Sequence, residues 1–172
     1  SVESALTRER ALLAPVLEKA NYRLDTTLLS TSQLKTQITS IFMGDQAESM
    51  AIQCMSFGFK YGFPAEADLM LDVRCFPNPF YIPELKHQTG LDKPVQDFVL
   101  GAEDTRIFLR HLYAMLDHLI PLYIQEGKTQ LVVAVGCTGG KHRSVTIANA
   151  LAEHIRSAGH RVLINHRDIE KV

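Results

Sequence analysis

Three glycines, a cysteine, a threonine and three basic side chains stand together in Gly136-Cys137-Thr138-Gly139-Gly140-Lys141-His142-Arg143-Ser144. Glycines permit positive φ, so successive backbone N–H groups can turn inward and line a concavity for an anion. Lys141 and Arg143 add fixed cations, and an arginine can grip two oxygens at once. The chemistry this predicts is capture of a phosphate. The amides of 138–140 with Lys141 and Arg143 surround its oxygens, and Ser144 donates one hydrogen bond. His142 serves either as a pH-sensitive donor beside the phosphate or as a cap on the following helix. Arg74, in the unusual turn Asp72-Val73-Arg74-Cys75-Phe76-Pro77-Asn78-Pro79, is expected to complete the rim.

The loop is not a Walker A sequence, because Lys141 is followed by His142 rather than Ser or Thr. It does satisfy C-x-x-G-x-x-R-[ST] through Cys137, Gly140, Arg143 and Ser144, the spacing of cysteine-dependent phosphatases. In those enzymes a thiolate attacks phosphorus while the arginine holds the equatorial oxygens. Against that reading, Gly136 occupies the place where such enzymes usually carry a histidine. The general acid would have to be Asp92 or Asp104, neither in a distinctive motif. A cysteine ending a buried strand is also, more often, a small buried residue. The binding reading is therefore preferred and the phosphatase kept as its alternative. Metal binding is not expected, since His111 and His118 lie seven apart with no second pair at ligand spacing.

A loop of this kind needs a strand before it and a helix after it. The apolar run at 129–135 predicts a strand buried on both faces. Val145, Ile147, Ala148, Leu151, Ala152 and Ile155 predict a helix over 144–158 that Gly159 stops. Further strands are expected at 50–59, 68–74 and 161–165, the first two non-adjacent or antiparallel because so short a segment joins them. A long helix with Phe108, Leu112, Met115/Leu116, Leu119 and Tyr123 on one face should be capped by Asp104 and bent by Pro121. Residues 75–100 read as a long connection rich in Pro and aromatics. The order β-β-α-β-α-β predicts an α/β layered sheet with flanking helices.

The amino-terminal part differs. A helix over 1–20, interrupted or kinked by Pro15, should lead to a short strand at 22–27 and a second helix capped by Ser30 or Thr31. About 43 residues are too few for a good core, so 1–45 reads as the tail of a larger domain, joined at Gly44-Asp45-Gln46 to a second domain, 46–172. The chain does not begin with Met, in keeping with an excised fragment. It shows neither a signal peptide nor a run of the ~20 apolar residues a membrane span needs. With 46% apolar and 22% charged residues it has the balance of a globular protein. Three widely spaced cysteines suggest a reducing cytoplasm. A net charge of −1 confines any nucleic-acid surface to a local patch. Lys60, Arg74, Arg167 and Lys171, joined by His142 and Arg143 of the loop, are the candidates for it, beside Phe59, Tyr61, Phe80 and Tyr81.

Five ordered blocks resemble the RapZ/YvcJ family, bacterial proteins with a P-loop domain followed by a C-terminal domain. They are Ser56-Phe57-Gly58-Phe59-Lys60-Tyr61-Gly62, the Asp72–Pro79 turn, Thr89-Gly90-Leu91-Asp92-Lys93-Pro94-Val95, the glycine loop with Val145, and His166-Arg167-Asp168-Ile169-Glu170-Lys171. The resemblance implies that 1–45 are the last elements of the P-loop domain and that 46–172 are the C-terminal domain, similar to a subdomain of sugar-phosphate kinases. It implies binding of glucosamine-6-phosphate and of small regulatory RNA, a homo-oligomer, and presentation of the RNA to an endoribonuclease controlling amino-sugar synthesis. ATP or GTP belongs, by the same resemblance, to the Walker loop, which has no counterpart here. The chain as it stands is thus expected to bind rather than catalyse and to need no cofactor. It departs from the enterobacterial form at Phe80, where that form has His after Asn-Pro.

Overall fold

A computed structural model describes residues 2–43 and 50–171, which form two compact units, Ser1–Asp45 and Gln46–Val172. The linker expected at Gly44-Asp45-Gln46 lies outside the described residues. In the first unit, α1 (Val2–Lys19) runs through Pro15 and buries none of its residues. α2 (Thr31–Met43) opens on a reciprocal cap: Ser30 Oγ accepts the Gln33 N–H at 3.2 Å and Gln33 Oε1 accepts the Ser30 N–H at 2.9 Å. The strand expected at 22–27 is not formed. No strand pairs with this segment among the described residues, and Asp25 Oδ1 accepts both the N–H and the hydroxyl of Thr27, a local turn that competes with a ladder.

The second unit is built on β1 (Ala51–Gly58), β2 (Leu69–Asp72), β3 (Gln130–Cys137) and β4 (Val162–His166), all parallel in the order β2-β3-β1-β4. β1 and β2 are thus non-adjacent, each pairing with β3. The short link between them suffices because β2 begins opposite Val133, midway along β3, so the chain returns only part of the sheet's height. That link crosses the face carrying Met55, Phe57, Val132 and Ala134, which Phe59 and Ala67 cover.

The opposite face, Ile52, Cys54, Leu131, Val133, Val135 and Cys137, packs into the main core with α3 (Lys93–Gly101), α4 (Glu103–Glu126) and α5 (Arg143–Ser157). Period-two alternation divides each central strand between the two cores. α3 lies inside the segment expected to be a connection; Pro94 sits in its first turn, where its missing N–H costs nothing. α4 starts two residues earlier than expected, with Ala102 rather than Asp104 as its cap; Glu103 and Asp104 instead lie in the first turn, where they favour the dipole. Its buried stripe, Thr105, Leu109, Leu112, Leu116 and Ile120, is rotated by about one residue from the expected face. α5 ends before Gly159, which adopts φ 89°.

Candidate functional site

The four parallel strands deliver their carboxyl ends to one edge, the usual place for ligands in open α/β sheets. Register places Gly58 beside Cys137, Asp72 beside Gly136 and Ser56 beside His166. The loop after β3 lies directly on the end of β1. A Cβ on Gly58 would come 2.6 Å from the Gly139 carbonyl carbon, and one on Gly140 would come 2.7 Å from the Gly58 nitrogen. Gly140 also holds φ 75°, so both contact and conformation require glycine there. The Lys60 N–H donates to the Thr138 carbonyl at 3.1 Å and the Gly90 N–H to the Lys141 carbonyl at 2.8 Å, fastening the loop from both sides.

The inner side of the loop is occupied by its own side chains. Cys137 is buried; its Sγ lies 3.1 Å from Ser144 Oγ and accepts the Gly140 N–H at 3.3 Å. The hydroxyl and one of the amides expected to meet an anion therefore serve the thiol. Arg143, expected to clamp oxygens, is turned inward and is only 5% exposed. Its Nη1 donates to the carbonyls of Arg74 (2.8 Å) and Phe76 (3.0 Å), and Nη2 reaches Thr138 Oγ1 at 3.4 Å. A guanidinium this deep must find acceptors, and the turn after β2 supplies them. Arg143 and Arg74 are thus brought together, but by backbone rather than by converging charges. Arg143 Nε is left without a partner among the described residues.

The outer side is open. Thr138 is exposed, Gly139 and Lys141 half-buried, and α5 begins beneath them with no side-chain cap from His142. His142 is itself buried, with Nε2 unpartnered among the described residues. Burial and the neighbouring Lys141 push its pKa down, against the carbonyls of Lys86, Gln88 and Leu85, which favour the protonated form. Thr138, Gly139 and Lys141 are what an anion can reach, with the first turn of α5 buried beneath them.

The remaining cations surround this edge, each already engaged. Arg74 lies 4.2 Å over the Phe59 ring and grips Asp72 through Nε and Nη2, with Nη2 2.6 Å from Oδ2. Those bonds hold the Asp72 carboxyl below the usual range. Arg167 packs over Phe57, donates to the Gly62 carbonyl at 2.7 Å and pairs with Asp168. Lys60 and Lys171 both approach the Tyr61 ring, at 5.1 and 5.0 Å, and Lys171 also pairs with Asp168. Phe80 and Tyr81 stay exposed, with Lys86 over Phe80 at 4.9 Å. Four residues escaped the sequence reading as parts of this site: Gly58, Gly90, Asp72 and Asp168. Their only signal was membership of the recurring blocks.

Of the two candidate general acids, Asp92 is committed to the N–H and hydroxyl of Thr89, at 2.7 and 2.9 Å, and Asp104 lies in the first turn of α4. A cavity of about 550 Å³ opens elsewhere, along α4 between Glu103, Arg106, Ile107, Leu109, Arg110 and Tyr113, and shares no residue with the loop. No described helix is long and apolar enough to cross a membrane.

Residues 50–170 match the family model of the RapZ C-terminal domain. Similar curated proteins, each named nucleotide-binding protein, include those of Caldicellulosiruptor saccharolyticus, 50% identical over 99% of this chain, and Limosilactobacillus fermentum, 49% identical over 96%. That of Clostridium novyi is 52% identical over 95%. The chain spans 59%, 57% and 56% of these three relatives respectively, so each is considerably longer. A sheet edge carrying the glycine loop, matched in family and at about half identity along nearly the whole chain, leads to one conclusion: this chain belongs to the RapZ family and contains its C-terminal domain.

Proposed function

We propose that residues 46–172 form a regulatory binding domain that holds the phosphate of a small metabolite on the outer face of the 138–142 loop. The observation that supports this most is the start of α5: an uncapped helix end lies under a glycine-rich turn, with Lys141 beside it, where four strand ends meet. Helix N-termini and outward amides favour anions. Thr138, Gly139 and Lys141 make the contacts; Arg143, with Arg74, holds the loop in shape, and Cys137, Gly140 and Ser144 form its inner brace. Glucosamine-6-phosphate is the ligand the family resemblance favours. The same phosphate chemistry suits the nucleotides in the relatives' names.

Small regulatory RNA would lie along Lys60, Arg74, Arg167 and Lys171, its phosphates near the cations and its bases against Tyr61 and against Phe63, which is exposed and stands edge-on to Phe59. The proposal includes a homo-oligomer handing that RNA to an endoribonuclease, and a cytoplasmic setting. It assigns ATP or GTP to a Walker loop in the longer relatives, of which residues 1–45 continue the domain.

Calorimetry with glucosamine-6-phosphate tests the central point. Lys141→Ala should weaken binding about tenfold or more, the scale of one charge-assisted contact. Absence of saturable binding to the unaltered chain at millimolar ligand would reject the reading. The phosphatase alternative keeps one supporting observation, the Ser144 hydroxyl and Gly140 amide directed at Cys137 Sγ. The inward Arg143 and the 3% exposure of Cys137 weigh against it. Turnover of p-nitrophenyl phosphate that disappears in Cys137→Ser would favour the enzyme instead.

A further inference from the structure

A carboxylate lies beneath the glycine loop. Asp168 is fully buried. Its Oδ2 accepts the Gly58 N–H at 2.8 Å and the Arg167 Nη2 at 2.7 Å, and its Oδ1 pairs with Lys171 Nζ at 2.7 Å. Burial works to raise its pKa, but the bonds from Arg167, Gly58 and Lys171 outweigh it and hold the carboxyl below the usual range. It also touches the loop: a Cβ on Gly140 would stand 2.9 Å from the Asp168 Cβ. One carboxylate therefore braces the end of β1 and underlies the left-handed residue of the loop.

By charge alone this is the wrong residue to place under an anion, since a buried negative charge repels one. Its neighbours on the same side, Arg167 and Lys171, compensate for that charge and are held by it. We infer that Asp168 is a positioning residue for the anion site, setting the Gly58–Gly140 contact on which the outer residues Thr138, Gly139 and Lys141 rest. The inference rests on the anion-site reading above and names a determinant of that site's affinity. Arg167 and Lys171 then act chiefly as the partners that let this carboxylate stay ionised underneath.

The two effects of Asp168 predict opposite signs. Asp168→Asn keeps the shape of the side chain and removes its charge. Charge alone would make anion binding tighter; lost positioning makes it weaker. Asp68 supplies the matched control, because it makes a similar carboxylate contact in the first half of β3, accepting the Val132 N–H at 2.8 Å and pairing with Lys128 at 2.7 Å. Inorganic phosphate is titrated into the 172-residue chain, with dissociation constants read from the amide resonances of Gly139 and Lys141. Wild type should bind saturably, Asp168→Asn about tenfold more weakly, and Asp68→Asn like wild type even if it loses similar stability. Unchanged or tighter binding in Asp168→Asn overturns the inference and leaves the anion site standing. Equal weakening in Asp68→Asn also overturns it, as a general effect of stability. No saturable shift in wild type removes the anion site and the inference with it. If Asp168→Asn does not fold, amide exchange in wild type decides: phosphate must slow exchange of the Gly58 N–H, which faces Asp168, and no slowing overturns the proposal.

Discussion

Replacing Arg143 by Met separates two roles that the loop's composition runs together. In the folded chain the guanidinium is buried and donates to the carbonyls of Arg74 and Phe76. Met fills much of the same volume but donates nothing, so two carbonyls lose a charged partner. Hydrogen bonds to charged groups contribute about 1.5–3 kcal/mol each, and the two share one nitrogen and are not additive. The expected loss is about 3–4 kcal/mol, a large part of the ~5–15 kcal/mol that a domain commands. Urea unfolding followed by circular dichroism measures it, with an unchanged m-value showing that the native and unfolded states keep their compactness. Lys141→Ala, on the half-exposed outer face, should cost under about 0.5 kcal/mol on the same assay and lower ligand affinity. If Arg143→Met left stability within about 0.5 kcal/mol of wild type while abolishing binding, Arg143 would be a ligand clamp, and its inward bonds would be incidental.

Three other outcomes follow from the same geometry. Gly140→Ala must force a side chain into φ 75° against Gly58 and Asp168, and should destabilise by at least about 1–2 kcal/mol by urea unfolding. His142 has a folded pKa below its unfolded value of about 6.5, so the unfolded chain binds more protons in that window. Stability should therefore fall as pH drops below about 6.5, until the folded pKa is reached, by at most about 1.4 kcal/mol per pH unit. His142→Gln should flatten that slope in thermal melts across pH 5–7, with the residue contributed by His166, which burial also lowers. Thiol labelling with iodoacetamide should modify Cys75, which is exposed, well before Cys137 or Cys54; burial pushes the Cys54 thiol up to about 12. Early labelling of Cys137 would show that the loop opens readily.

Much of the architecture is legible without coordinates because it rests on local pattern. A continuous apolar run ends in a glycine cluster, and helical periodicity begins at once; that pattern alone locates β3, the loop and α5. β4 and the strand at 51–58 are read equally well from apolar runs bounded by turn residues. The misses have physical causes. The 22–27 segment looks extended but has no partner strand among the described residues, and a strand without a partner is not a sheet element. α3 hides behind Pro94, because a proline in the first turn resembles a break. The stripe on α4 depends on which neighbours the helix meets, so its rotation by one residue could not be read from α4 itself.

The site divides in the same way. Composition and spacing determined that a glycine-rich, basic turn joins a buried strand to a helix, and that its family likeness runs through five separated blocks. They could not determine which way each side chain points. Arg143 and Ser144 turn inward because burial obliges them to bond the nearest acceptors, a carbonyl pair from residues 74 and 76 and the Cys137 sulfur. Asp168 lies under Gly140 only because β4 pairs with β1, bringing together residues more than a hundred positions from Gly58. Local sequence sets backbone conformation over a few residues, whereas long-range pairing decides which donors and charges share one edge, and that second decision exists only in the folded chain.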